Sequence, residues 1–144
     1  MKKTIIYILL IFAISITYTG FRVLDYRKAK NEIKRFNFEY EQYVNKHIYG
    51  TDVVTIINKA IDNNEKLEIK KDENNNYIEN DENSIKIYIK ILNTEEKYPM
   101  ELINKVGINS FINNFNTIKF KSSEVKYHKK TGQLSEITFE ELEN

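Results

Sequence analysis

The sequence has no cysteine, no tryptophan, one proline and four glycines in 144 residues. Without cysteine there is no disulfide framework, no thiolate zinc site and no N-terminal cysteine to carry a lipid. Any folded part must rest on apolar packing, and the chain is long enough for one core of ordinary size beyond its first segment. The missing cysteine does not tell an oxidising compartment from a reducing one. Lysine, asparagine and isoleucine are used heavily, as in AT-rich genomes, and this carries no functional weight.

Catalytic signatures are scarce as well. There is no P-loop and no dinucleotide-binding glycine fingerprint. None of Ser110, Ser122, Ser123 and Ser135 lies in a G-x-S-x-G elbow. His47 and His128 are the only histidines, and neither has a partner at metal-ligand spacing. Acidic pairs such as Glu95-Glu96 and Glu140-Glu141 lie on polar stretches that read as solvent-facing. The expectation is a chain with no catalytic residue, no cofactor and no metal ion. Asp72, Asn74 and Asn76 fall at the first, third and fifth positions of an EF-hand-like loop, but Tyr77 replaces the turn glycine and Asn83 the bidentate glutamate. A solvated loop is the expected reading.

What the chain does have is one long apolar run. Thr4 to Phe21 reads TIIYILLIFAISITYTGF, without charge or proline, between Lys2-Lys3 and Arg22. As a helix it spans about 27 Å, close to the ~30 Å hydrocarbon core of a bilayer. Residues 1–21 are read as a membrane anchor or uncleaved signal. Two other readings compete. MKK with Ala13-Ile14-Ser15 has the form of a cleavable signal peptide, although Ile16 and Tyr18 continue the apolar run. A buried core helix would normally show a polar face, and this segment has none.

Charge is unevenly placed. Arg22, Arg27, Lys28, Lys30, Lys34 and Arg35 stand against Asp25 and Glu32, a net charge of +4 over residues 22–35. With Lys2 and Lys3 also set aside, residues 36–144 carry −5. Residues 22–35 are therefore read as a basic juxtamembrane helix, with Arg22, Arg27, Lys28 and Lys30 at the lipid surface, where anionic head groups attract each by ~1 kcal/mol. The acidic remainder argues against nucleic acid as a partner. Orientation has two readings: Lys2-Lys3 favours a cytoplasmic N-terminus, and the larger cluster after the anchor favours a cytoplasmic C-terminus. The resemblance of the basic N-terminus to an export signal favours the first, with the domain outside.

Residues 36–144 read as a single α+β domain: a small antiparallel sheet of about four strands packed by helices. Ile33, Phe36, Tyr40, Tyr43, Val44 and Ile48 form one helical stripe, continuous with the anchor and expected to end at Gly50. Thr51 is the expected cap of a second helix through Ile61, stopped by Asp62-Asn63-Asn64. Leu67–Ile69 is a short expected strand and Tyr77-Ile78 a briefer one. In Ser84–Leu92 the alternation of Ile85, Ile87, Ile89 and Ile91 with Lys86, Tyr88 and Lys90 predicts a strand with one wet face. Pro99 opens a helix that Gly107 closes, and Ser110 starts another turn. A strand from Ile118 changes phase near Ser122-Ser123, which predicts a bulge. Lys129–Gly132 is a hairpin turn before a last strand, Leu134–Phe139, and residues 140–144 are an expected frayed tail.

Tyr40, Tyr43, Tyr77, Tyr88, Tyr98 and Tyr127 offer large contact area at low entropic cost. Tyr88, between Lys86 and Lys90 on the wet face, marks the expected binding surface.

The segments GTDVVTIINKAIDNN, ENDENSIKIYIKIL and KYHKKTGQLSEITFEE are similar to those of small single-span membrane proteins of low-GC Gram-positive bacteria, a resemblance that brings no activity and no site residues. Gly20-Phe21 with Asp25 resembles the processing glycine, following aromatic and acidic fifth residue of type IV pilins and pseudopilins. In those proteins the apolar segment follows the glycine, whereas here it precedes it. Two functions are carried forward: an extracytoplasmic domain on a single-pass anchor that binds an envelope protein or polymer, and a subunit of an envelope filament or secretion apparatus. The oligomeric state is left open.

Overall fold

The computed structural model describes residues 2–143, so the expectations for Met1 and Asn144 lie outside the described residues. The chain divides into two compact units, Met1–Arg35 and Phe36–Asn144. Helix α1 (Lys2–Glu41) begins in the first unit and supplies its last turns to the second. It is unbroken because nothing from Phe21 onward interrupts it and Gly20 adopts helical geometry. Ile5, Ile6, Leu9, Leu10, Ile11, Phe12, Ile14 and Ile16 are all at least half exposed. Ser15, Thr17 and Thr19 turn their hydroxyls onto carbonyls of the preceding turn: Ser15 Oγ donates to Ile11 O at 2.9 Å, Thr17 Oγ1 to Ile14 O at 2.8 Å and Thr19 Oγ1 to Ser15 O at 2.9 Å. These three hydroxyls are thus satisfied within the helix, as an apolar solvent would demand.

The second unit is an α+β fold in which helices pack on one five-stranded sheet. The elements after α1 are β1 (Ile48–Tyr49), α2 (Gly50–Lys66), β2 (Lys86–Lys90), β3 (Lys97–Pro99), α3 (Met100–Val106), α4 (Ile108–Phe115), β4 (Lys119–Tyr127) and β5 (Leu134–Glu141). Strand order is β1-β4-β5-β2-β3. All pairs are antiparallel except β2 with β5, which run parallel from Lys86↔Glu136 to Lys90↔Glu140. The core lies where the amphipathic face of α2 (Val53, Ile56, Ile57, Ala60) meets Ile85, Ile87, Ile89, Phe120, Ile137 and Phe139 from the sheet. The expected bulge is present: the β4–β5 register shifts between Ser122 and Glu124. Gly107 (φ 109°) ends α3 and Gly132 (φ 73°) sits in the β4–β5 turn, both where a side chain would be strained.

Several expectations are corrected. Helix α1 stops at Glu41, seven residues before Ile48, because Asn45 enters the left-handed region (φ 58°) and donates its N–H to Ser122 Oγ at 2.8 Å, anchoring the turn to the bulge. Ile48 then joins the sheet edge as β1. Gly50 is no left-handed terminator: a Cβ there would lie 2.0 Å from Phe115 O, so glycine serves the close approach of α2 and α4. The first turn of α2 is capped from inside by Asp52, which accepts the Tyr49 N–H at 3.0 Å, and not by Thr51. Asn63 and Asn64 do not stop α2, which continues to Lys66. Asn63 Nδ2 donates to Tyr40 Oη at 2.6 Å, while Asn64, fully buried, pairs with both backbone groups of Ile85 (2.7 and 2.9 Å). Residues 67–69 form no strand, and Tyr77 makes an isolated bridge with Lys71. Pro99 ends β3 and precedes the first helical residue. Glu140 and Glu141 belong to β5 instead of a frayed tail, and Glu141 accepts the Leu92 N–H at 3.1 Å.

Candidate functional site

Arg22, Arg27, Lys28 and Lys30 lie on α1, all exposed. At 3.6 residues per turn they are distributed around the helix just after the apolar segment. One helix among the described residues is long and apolar enough to cross a membrane: Ile5–Glu41, with mean hydropathy 1.8 over its most apolar stretch and none of that stretch buried.

The face of β2 expected to be wet is largely closed. Lys86 is buried, with Nζ 2.7 Å from Glu101 Oε1 of α3 and both side chains under a tenth exposed. Lys90 Nζ lies 3.0 Å from Glu140 Oε1. Tyr88 is half-buried, and that burial pushes its phenol above the ordinary value. The reason lies in the sheet order. Strand β2 is interior, so its outward residues face side chains from both neighbours, which alternation within one strand does not reveal. Lys97 of edge strand β3 reaches Glu124 of β4, and Lys126 bonds Glu124 at 3.2 Å and Glu136 at 2.9 Å. Beneath them Thr138, in register with both Glu124 and Tyr88, is 1% exposed. Ser123 and Lys126 have S-x-x-K spacing, but on a strand it does not set the amine beside the hydroxyl, and Lys126 is held by the two carboxylates. His128 is likewise structural, with Nε2 2.7 Å from Ser84 O, a carbonyl that can only accept.

The better-formed site is a cavity of about 730 Å³ between the turn after α2 and the outer side of α3. The turn is self-contained. Asp72 accepts the N–H groups of Asn74 (2.9 Å) and Asn76 (2.8 Å), and the Asn76 bond is the main cause of its lowered pKa. Its carboxylate is therefore engaged where an EF-hand would present it to calcium. Among the described residues no group of three or more His, Cys, Asp or Glu is placed to hold a metal ion.

Tyr77 forms the floor. It is 4% exposed, its hydroxyl lies 3.3 Å from Glu65 Oε1 and 3.4 Å from Ile61 O, and Lys71 Nζ sits 4.5 Å above its ring. Burial first, and Glu65 second, push its phenol up to about 12. The Tyr77 N–H donates to Glu101 Oε1 at 3.1 Å. That oxygen thus takes two donors, Lys86 and Tyr77. The other, Glu101 Oε2, is buried and has no hydrogen-bond partner. Glu73, Asn74, Asn75, Asn104, Lys105, Pro99 and Leu102 also line it.

The tyrosines scatter across these roles: Tyr40 is wholly in the core, Tyr77 is the cavity floor, and Tyr127 bonds Glu41 at 2.8 Å. Glu101 carried no sequence signal, because an acidic residue in the first turn of a helix is ordinary. No known protein family, curated protein or solved structure matches the chain.

Proposed function

We propose that the chain is a single-pass membrane protein whose α+β head stands on the extracytoplasmic side and binds an envelope protein or polymer. The observation that carries this reading is α1 itself. The apolar side chains of its first part are exposed, and the hydroxyls of Ser15, Thr17 and Thr19 are satisfied by its own carbonyls. Water penalises such a surface, whereas lipid accommodates it. The basic residues Arg22, Arg27, Lys28 and Lys30 follow where head groups would lie, and they support the lipid bilayer as the first partner. Binding is preferred to catalysis because the Ser123–Lys126 spacing is not assembled on its strand, Lys126 being held by two carboxylates, while the head offers a formed cavity of ligand size.

Protease treatment of intact cells expressing a C-terminally tagged chain tests the placement. Loss of the tag is expected; a tag protected until the membrane is permeabilised contradicts an outside head. Crosslinking in the same cells separates the two forms of binding. One foreign adduct favours the binding module, and a ladder of self-products favours the filament subunit.

A further inference from the structure

We propose that the cavity between the Asp72–Asn76 turn and α3 binds an uncharged, hydroxyl-rich unit, a saccharide residue. This deepens the binding reading of the head and rests on it, but not on which side of the membrane the head lies.

Three observations converge. The first is the unpartnered acceptor. The Glu101 side chain is 8% exposed, Oε1 is fully engaged, and Oε2 is sequestered with no donor. A buried carboxylate oxygen without a donor is costly. The oxygen is closed even to water, so a ligand's O–H or N–H relieves it only once the wall around Glu101 yields.

The second is charge. Glu101 is already neutralised by Lys86, and Glu65 has Lys71 at 3.7 Å. A cationic ligand would meet Lys71 and Lys105, and an anionic one would meet Glu65, Glu73 and Glu101. With Lys86 behind Glu101 counted, three cations stand against three carboxylates, which favours a ligand of neither sign.

The third is the polar lining. The side-chain amides of Asn74, Asn75 and Asn104 make no hydrogen bond to other described residues that would occupy both their donor and acceptor groups. Each can donate to one hydroxyl and accept from the next. Leu102 and Pro99 provide an apolar patch for the C–H face of a sugar ring, a role Tyr77 cannot fill on the side where Lys71 covers its ring. The volume falls within the range of small-molecule sites, roughly 300–1,000 Å³.

The test is amide NMR of the isotope-labelled full-length chain in lipid nanodiscs. The titrants are maltotetraose and chitotetraose, their monosaccharides, and spermidine and citrate as charged probes. Saturable shifts confined to residues 71–77 and 100–105, with at least one saccharide and with neither charged probe, are expected. A tetrasaccharide that binds more tightly than its monomer identifies a polymer as the source, and equal affinity identifies a free sugar. Glu101→Gln should weaken binding by about tenfold or more. Because that change also disturbs Lys86, Asn104→Trp is the second variant. It fills the cavity from an exposed position of α3 and should abolish the shifts while leaving the rest of the spectrum unchanged. The proposal is overturned by no saturable shift with any saccharide, by binding of spermidine or citrate instead, or by saccharide shifts that Asn104→Trp leaves intact. None of these outcomes depends on the protease result, so the two readings fail separately.

Discussion

Replacing Asn64 with alanine should be among the most damaging single changes in the head. Asn64 is fully buried in the last turns of α2, and its amide serves as the hydrogen-bonding neighbour of Ile85 just before β2 begins. The parallel ladder to β5 starts only at Lys86. Truncation would leave both the N–H and the C=O of Ile85 without a partner, in a residue that is 0% exposed. Each orphaned group costs ~1–3 kcal/mol, which places the total at roughly 2–6 kcal/mol. A domain of this size has only about 5–15 kcal/mol to lose.

Asn37 is the internal control. It makes the same pair of bonds, to Gly132 O (2.9 Å) and from Leu134 N–H (2.8 Å), but Gly132 is exposed and water can replace that bond, so only the N–H of buried Leu134 is orphaned. Asn37→Ala should therefore cost only about 1–2 kcal/mol. Asn64→Asp, which creates no cavity, sets a carboxylate oxygen against Ile85 O and should rank with Asn64→Ala at neutral pH. Urea unfolding of the full-length chain in detergent, followed by tyrosine near-UV circular dichroism, gives the ranking. The reasoning fails if Asn64→Ala costs less than about 1 kcal/mol, or no more than Asn37→Ala.

Three further outcomes follow from single residues. Gly50→Ala drives a methyl to 2.0 Å from Phe115 O and should destabilise the head by about 3 kcal/mol or more in the same assay, although Gly→Ala usually favours a helix. Glu68→Gly removes a side chain from a left-handed residue (φ 52°) and should raise the urea midpoint by up to ~1 kcal/mol equivalent. At alkaline pH the head should weaken. Below the ordinary tyrosine value of 10.0, Tyr77 is protonated in both states and contributes nothing; between there and about 12 the unfolded chain loses the proton that the folded one keeps. Tyr40, whose phenol burial also raises, acts in the same direction, and thermal melts of Tyr77→Phe should show a shallower alkaline fall than wild type.

What could be read in the sequence was local. The Ile85–Ile91 alternation, the phase change at Ser122-Ser123, the Lys129–Gly132 turn and the uninterrupted helix from the anchor each have a signature within a few residues. Strands β1 and β3, of two and three residues, are too short to show any period. Strand direction leaves no mark on alternation, so the parallel β2–β5 pair was invisible. Asn63 and Asn64 read as helix breakers because asparagine usually bonds its own backbone. Their partners, Tyr40 and Ile85, lie about twenty residues away in sequence on each side. Lys86 read as exposed for the same reason, since only Glu101 of α3, brought over by the fold, buries it. The cavity depends on the same long-range placement, and of its wall only the asparagine turn and Tyr77 stood out beforehand.

Residence of α1 in lipid is tested most directly by alkaline carbonate extraction of membranes from cells making the full-length chain. The chain is expected in the membrane pellet at its unprocessed length, released only by detergent. Unprocessed chain in the carbonate supernatant, or a shortened head free of the membrane, would contradict it.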